Sequence, residues 1–302
     1  MDTPARPALY VALSNFSASP AGDWQRLIDV ATAADRVGID GLVVSDHVVF
    51  GEHLEAYGRA ETGGVDGGVQ PTGPDGAWLE PMTFLSVLAG VTNDIRLSTN
   101  ILLAALRRPV VLAKSAATLD VLSGGRLELG VGIGWQREEY DAAGLDFGTR
   151  GRLLDQTLEV CRALWRDEPA SFSSDDVRFE RIHCNPKPVH PNGVPILVSG
   201  RPKPRVLERL ARHGTGWIPW GLSPEEAADA VPEVRQALRA AGRGDEPLDV
   251  RVSLRVSRQD PAAGFAAVPA LAARGVTQFV VGAGAGTEDH LAKLRATFRE
   301  SS

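Results

Sequence analysis

The sequence predicts an α/β fold, a closed (β/α)8 barrel, on three observations. Short apolar runs alternate with helix-period segments along the whole chain, eight of each. The 302 residues suffice to bury one full-sized core, and composition does not change from one part of the chain to another. The rival architecture, an open doubly wound sheet for a dinucleotide, lacks its fingerprint. No early Gly-x-Gly-x-x-Gly follows the first strand, and Gly130–Trp135 (GVGIGW) sits on a strand rather than at a tight turn opening a helix.

The elements follow in order. Leu9–Phe16 reads as the first strand, and Asp23–Val37 has apolar residues at helical spacing with Gly38 as its C-cap. Gly41–Ser45 is the second strand, ending in Asp46-His47. Residues 48–79 then lose periodicity; so long a loop is usually a lid or a binding loop. Glu80-Pro81 restores a helix to about Val91. The stretch Ile95–Trp135 is a β-α-β unit: two apolar runs flank a helix opened by Pro109 and closed by Ser123-Gly124-Gly125, the expected asymmetry. After a polar loop with a short helical turn, Arg150–Trp165 is a strong amphipathic helix. Residues 166–194 form a second excursion, in which DVRFERI suggests a small hairpin and NPKPVHP an extended crossing segment. Pro195–Ser199 is strand five and Arg201–Ala211 leads into the fifth helix. Gly216–Pro219 is strand six, followed by a helix over Ser223–Ala241 that starts with a capping box, Ser223 and Glu226. Leu248–Val256, a helix over Ala262–Ala273, Val276–Val281 and a helix over Glu288–Phe298 complete the ring.

Composition excludes several classes. Hydrophobic content of 43% and charged content of 23% describe an ordinary soluble globular chain. A net charge of −6 without any basic block argues against nucleic acid as a partner. No apolar stretch is long enough to span a membrane, and MDTPARPALYVALSNF lacks the apolar run of a signal peptide. Cys161 and Cys184 are not a disulfide framework. A cytoplasmic protein is expected.

In such a barrel the active site lies at the C-terminal ends of the strands. That selects Asn15 and Phe16, Asp46 and His47, Ser98, Thr99 and Asn100, Gly132 to Trp135, Ser199 to Arg201, and Trp217 to Trp220. His47 is the best acid–base candidate because imidazole titrates near neutral pH, although a strand-end histidine can equally be structural. Asp46 either binds ligand or forms the turn. No metal set emerges: His183, Cys184 and His190 crowd one segment without a companion motif. No Gly-x-Ser-x-Gly elbow is present. A planar aromatic ligand would find room above the glycines and contact from Trp135. In Ser199–Arg205 (SGRPKPR), backbone N–H groups with Ser199 and Gly200 could cradle a phosphate, and Arg201, Lys203 and Arg205 add positive charge that a helix start disfavours unless an anion is near.

These blocks resemble the bacterial-luciferase-like monooxygenase superfamily, and most closely its F420-dependent oxidoreductases. The resemblance rests on GIDGLVVSDHVV (38–49), residues 80–140, FGTRGRLLDQTLEVCRALW (147–165) and PILVSGRPKPRVLERLARHGTGWIPW (195–220), roughly half the chain in colinear order. AK-x-x-ATLD-x-LSGGR-x-x-LGVG-x-GW is its most specific part. The resemblance implies a single TIM-barrel domain over 1–302, with an active-site excursion at 48–79 and an insertion before strand five at 166–194. It implies a non-prolyl cis peptide at Asn100–Ile101, a cofactor lined by Gly132, Gly134 and Trp135, and a tail phosphate approached by Ser199, Gly200 and Arg201. Relatives often read Ser-Gly-Gly where this chain has Ser199-Gly200-Arg201. It implies hydride transfer between coenzyme F420 and a small organic substrate, with His47 exchanging a proton and Asp46 or Glu80 assisting. FMN, in a reduced-flavin monooxygenase, is the alternative cofactor; a non-catalytic flavin-binding barrel is the alternative of another class. A homodimer, and a separate reductase supplying reduced cofactor, are the expected partners.

Overall fold

Each barrel strand is apolar on both faces, which is what a parallel sheet covered by helices requires. The strands are β1 (Ala8–Ala12), β2 (Gly41–Val44), β3 (Arg96–Leu102), β4 (Leu127–Val131), β5 (Ile196–Ser199), β6 (Gly216–Ile218), β7 (Asp249–Ser253) and β8 (Gln278–Gly282). In this computed structural model they close in the order β1-β8-β7-β6-β5-β4-β3-β2, every pairing parallel. The expected (β/α)8 TIM barrel is therefore the fold. The structure describes residues 6–19, 22–62, 64–65 and 67–302. The remaining positions, in the N-terminal stretch and the 48–79 excursion, lie outside the described residues.

The period of two along each strand sorts side chains between two environments. Leu9 and Val11 of β1, Leu42 and Val44 of β2, and Phe279 and Val281 of β8 join the large core beneath the helices. Tyr10, Val43 and Val280, the residues between them, form a separate small cluster inside the ring. On β3, β4 and β7 the corresponding residues are polar: Ser98, Glu128 and Arg251. Arg251 donates to Glu128 Oε2 at 2.6 Å, to Ser98 Oγ at 2.8 Å and to Gln278 Oε1 at 2.7 Å. The Tyr10 hydroxyl lies 3.0 Å from both Glu128 oxygens, and Arg96 reaches Glu128 Oε1 at 2.8 Å. Charges this deep are tolerated because each is paired and hydrogen-bonded. Burial, and then Glu128, push the Tyr10 hydroxyl well above the ordinary tyrosine range, so it stays a donor.

The outer helices are α1 (Trp24–Arg36), α2 (Pro81–Val91), α3 (Pro109–Leu122), α4 (Arg137–Ala142), α5 (Arg150–Arg166), α6 (Pro204–His213), α7 (Pro224–Ala240), α8 (Pro261–Phe265), α9 (Val268–Ala273) and α10 (Glu288–Ser301). Their starts are capped as the sequence suggests. Asp23 accepts from Arg26 N, Glu80 accepts from Thr83 N, and Ser223 and Glu226 form the reciprocal box. No helix among the described residues is long and apolar enough to cross a membrane.

Two expected elements are divided. The first strand ends at Ala12 rather than Phe16. The chain bends at Asn15, whose side chain bonds Ser45 O and Leu79 O, and Phe16–Ser17 pairs antiparallel with Ala77–Trp78. The helix over Ala262–Ala273 is two helices, because Pro269 lacks an N–H and its ring excludes a continuous turn. The 166–194 segment carries the expected hairpin, Ala170–Ser173 against Arg178–Ile182.

His213, at the end of α6, is buried and neither ring nitrogen has a partner among the described residues. Burial, reinforced by Arg162, pushes it down to about 4. An unfolded histidine titrates at about 6.5. As pH falls between those values the unfolded chain takes up a proton that the folded chain refuses, so stability is lost across that window. Urea unfolding should show His213→Gln losing less stability than the parent between pH ~6.5 and ~4.

Candidate functional site

A cleft of about 510 Å³ opens over the C-terminal ends of β2 to β5, roofed by the 48–79 excursion. Its geometry begins with a carboxylate. Asp46, just past β2, is buried; its Oδ2 accepts from Leu103 N at 2.8 Å and from Arg107 Nη1 at 2.5 Å, and its Oδ1 from Arg107 Nη2 at 3.2 Å. Arg107 also donates to Glu80 Oε1 at 2.7 Å. Burial opposes the charge on Arg107, yet Asp46 and then Glu80 hold its pKa above the ordinary arginine value. Asp46 thus reaches the cleft wall with its oxygens already engaged. Glu80 lies elsewhere: it caps α2 and lines a separate groove of about 320 Å³ between α2 and α3. The structure does not bring Glu80 to His47.

His47 follows Asp46 into the cleft. Its Nδ1 lies 3.3 Å from Glu139 Oε2, and its Nε2 lies 3.0 Å from the side-chain nitrogen of Gln70. An amide nitrogen only donates, so Nε2 accepts and the ring proton sits on Nδ1, facing the carboxylate. Glu139 Oε1 accepts from Val48 N at 2.8 Å, which fixes the carboxylate in turn. Aromatic rings enclose the imidazole: Phe50 at 4.5 Å, Trp78 at 4.8 Å and Trp135 at 5.7 Å between centroids. The imidazole is thus oriented through both ring nitrogens.

The four β3 candidates divide by face. Ser98 points into the barrel interior, bonded by Arg251, and Thr99 Oγ1 donates to Gly130 O at 2.8 Å. Both are fully buried and neither lines the cleft, because strand position sets their height and the pleat sets their direction. Asn100 and Ile101 do line it, and the peptide bond between them is cis. The β3–β4 register breaks here, between Thr99 and Leu102. Asn100 Oδ1 is buried with no partner among the described residues.

Gly132 and Gly134 form the adjoining floor. A Cβ on Gly132 would come within 2.8 Å of Ile101 Cδ1, and one on Gly134, whose φ is +69°, within 2.8 Å of Leu103 Cδ2. Trp135 packs edge-on against Tyr57 of the excursion, at 5.5 Å. At the far side stand Ser199, Gly200, Arg201 and Lys203. The Trp217 indole holds Gly200 O at 2.8 Å, and Arg201 donates to Gly221 O at 2.7 Å. Arg150 stands over the Phe147 ring at 3.8 Å; burial depresses its pKa, Tyr140 opposes this and Arg137 adds to it. Arg209 is bound by Asp155 through two contacts, 2.5 and 3.1 Å. Arg205 is not among the residues lining the cleft.

Sequence reasoning overlooked Glu139, Gln70, Arg107, Tyr57 and Arg150. Glu139 stands in a polar stretch beside half-buried Glu138, and only helix α4 turns it inward. Away from the cleft, His183 pairs with Glu168, His190 lies 3.1 Å from Gly125 O, and Cys184 is buried.

A closed parallel barrel with a histidine-bearing, glycine-floored cleft at its strand ends is the architecture of a ligand-binding (β/α)8 protein. The chain belongs to the luciferase-like monooxygenase family, whose pattern it matches over residues 9–300. It is 36% identical over 179 residues to an uncharacterized protein of Mycobacterium tuberculosis, a match covering 59% of this chain and 62% of that one. It thus spans about three fifths of that relative's length. It is 27% identical to the F420-dependent glucose-6-phosphate dehydrogenase of Amycolatopsis mediterranei, over 76% of this chain and 64% of the relative. Among solved structures, the monooxygenase RslO1 from Streptomyces bottropensis shares the fold, with a TM-score of 0.72, 20% identity, and coverage of 97% and 98% of the two chains.

The bonding pattern assigns Asp46 to scaffold rather than chemistry. Asp46→Asn should lower unfolding stability by about 3 kcal/mol, since it leaves Arg107 short of its buried partner. Glu80→Gln, at a half-exposed carboxylate, should lower it by less than about 1 kcal/mol. Denaturant titration of the two variants checks the contrast.

Proposed function

We propose that the chain is an oxidoreductase transferring hydride between coenzyme F420 and a small organic substrate. One observation carries this reading: an oriented histidine at one end of the cleft faces a group of cations at the other, across a floor of glycines and a buried, unmet Asn100 oxygen. A planar ring system with hydrogen-bonding edges and an anionic tail fits that layout. The sequence similarity to an F420-dependent dehydrogenase supports the same choice. FMN, in a monooxygenase supplied by a separate reductase, is the second reading, favoured by the fold shared with RslO1.

The residues present fit such a cofactor. Asn100, Ile101, Gly132, Gly134 and Trp135 would hold the ring, and Ser199, Gly200, Arg201, Lys203 and Arg150 the phosphate-bearing tail. When bound, the cofactor supplies the carbon that gains or loses hydride; the protein supplies alignment and exclusion of water. His47 holds the proton chemistry. A substrate oxygen taking the place of Gln70 would face Nε2, while Nδ1–H remains on Glu139, which stabilises the ring when it is doubly protonated. Glu139 acts through His47 and is a positioning residue. Tyr57 and Gln70, both on the excursion, shield this end of the cleft.

A partner of the same kind also fits. Val87, Val91, Val110, Val111, Val121 and Leu122 are exposed on the adjacent helices α2 and α3, an apolar face suited to a second copy of the chain. Val111→Asp should therefore convert a dimer to a monomer, as read by light scattering.

Equilibrium titration should show F420 binding at least about tenfold more tightly than FMN, a difference of about 1.4 kcal/mol. Tight FMN binding with none for F420 would reverse the order of the two readings. His47→Asn should lower kcat by about 10²-fold. Glu139→Gln should lower kcat by about tenfold with KM nearly unchanged.

A further inference from the structure

Buried indole N–H groups almost always find an acceptor. In this protein Trp78 donates to Thr72 Oγ1 at 3.0 Å, Trp165 to Ala113 O at 2.9 Å and Trp217 to Gly200 O at 2.8 Å. Trp135 differs. It is 5% exposed, it lines the cleft, and its Nε1 has no acceptor among the described residues. Its ring lies between His47 and Tyr57, at 5.7 and 5.5 Å.

The surroundings of that donor are apolar. Phe16 and Trp78 stack at 4.4 Å, Phe50 and Trp78 flank His47, and Tyr57 stands 6.5 Å from Trp220. The carboxylates beside His47 are engaged, Asp46 by Arg107 and Glu139 by His47 and Val48 N, while Glu61 of the excursion also lines the cleft. The cleft's cations Arg201 and Lys203 follow β5, across the ring from β1. A hydrocarbon would leave the Trp135 donor unmet.

We propose that the aromatic end of the cleft selects a largely apolar substrate bearing a carbonyl or hydroxyl oxygen, with the Trp135 indole N–H donating to that oxygen. Trp135 and His47 then approach the substrate oxygen from two sides: the indole fixes the oxygen and the imidazole exchanges its proton, while hydride moves between the carbon and the cofactor. The short turn Leu54–Gly58 carries Tyr57 against the Trp135 ring. This specificity rests on the oxidoreductase reading for its purpose, but the binding it describes is measurable without turnover.

The test uses the full chain with 15N-labelled tryptophan, the Trp135 indole resonance being assigned from its absence in Trp135→Phe. Cyclohexanone, methylcyclohexane and glucose 6-phosphate are titrated separately into free protein and into protein saturated with F420, or with FMN if only that binds. Cofactor binding is read independently from its own absorbance, so failure of the F420 reading is distinct from failure of this one. The expected result is a downfield shift of the Trp135 indole proton with cyclohexanone and not with methylcyclohexane. Trp135→Phe should weaken cyclohexanone binding about fivefold and methylcyclohexane binding by less. Three results overturn the proposal. The first is an indole shift completed by cofactor alone, with no change on adding ketone. The second is glucose 6-phosphate binding more tightly than cyclohexanone. The third is an indole resonance unmoved by cyclohexanone in wild-type protein, which decides the matter even if the variant misfolds.

Discussion

The Asp46–Arg107 ion pair holds the cleft together. Asp46 terminates β2, Leu103 follows β3, and the carboxylate joins them by accepting from the Leu103 N–H and both terminal nitrogens of Arg107. Through Glu80, Arg107 extends the tie to the start of α2. His47 is one residue from the knot on one side, and the cis bond at Asn100–Ile101 is close by on the other. Burying these charges is unfavourable in itself, and the pair is tolerated because its lone pairs and N–H groups are satisfied. A carboxylate bonded in this way cannot readily serve as a base.

Strand β3 shows how one short segment serves three surroundings. Ser98 turns inward to the polar cluster of Arg251, Glu128 and Tyr10, and Thr99 ties β3 to Gly130 of β4. Only beyond them, where the register breaks, do Asn100 and Ile101 reach the cleft. The polar layer below is therefore more than a filled interior. It occupies the hydroxyl of Ser98 and anchors the strand whose next residues form the cleft floor.

Most of the fold was legible because the signals are local. Apolar runs marked the eight strands, and Ser223-Glu226, Pro109 and Ser123-Gly124-Gly125 marked helix ends through capping chemistry that needs no tertiary information. The strand-end rule brought out His47, Asn100 and Trp135, but it gives height above the barrel and not direction, so it also admitted Ser98 and Thr99. It could not separate Asp46 from chemistry, because the decisive partner, Arg107, is 61 residues away. Glu139 and Gln70 meet His47 across 92 and 23 residues. No sequence period encodes such a meeting; it exists only once the barrel closes.

Closure also distributes the chemistry. In a ring of eight strands β1 and β5 stand opposite, so the cations after β5 and the aromatic side chains after β1 and β2 face each other across the mouth. An elongated ligand with one anionic end therefore has a preferred direction in the cleft. Its anionic end would lie toward Arg201 and Lys203, and its other end toward His47 and Trp78. The groups that finish this end, Tyr57, Gln70 and Trp78, all come from the excursion between β2 and α2. That segment contributes no strand to the barrel, so its side chains can be rebuilt without disturbing the Asp46 tie or the polar layer below. The cleft floor is thus a property of the barrel, and its aromatic roof a property of one loop laid across it.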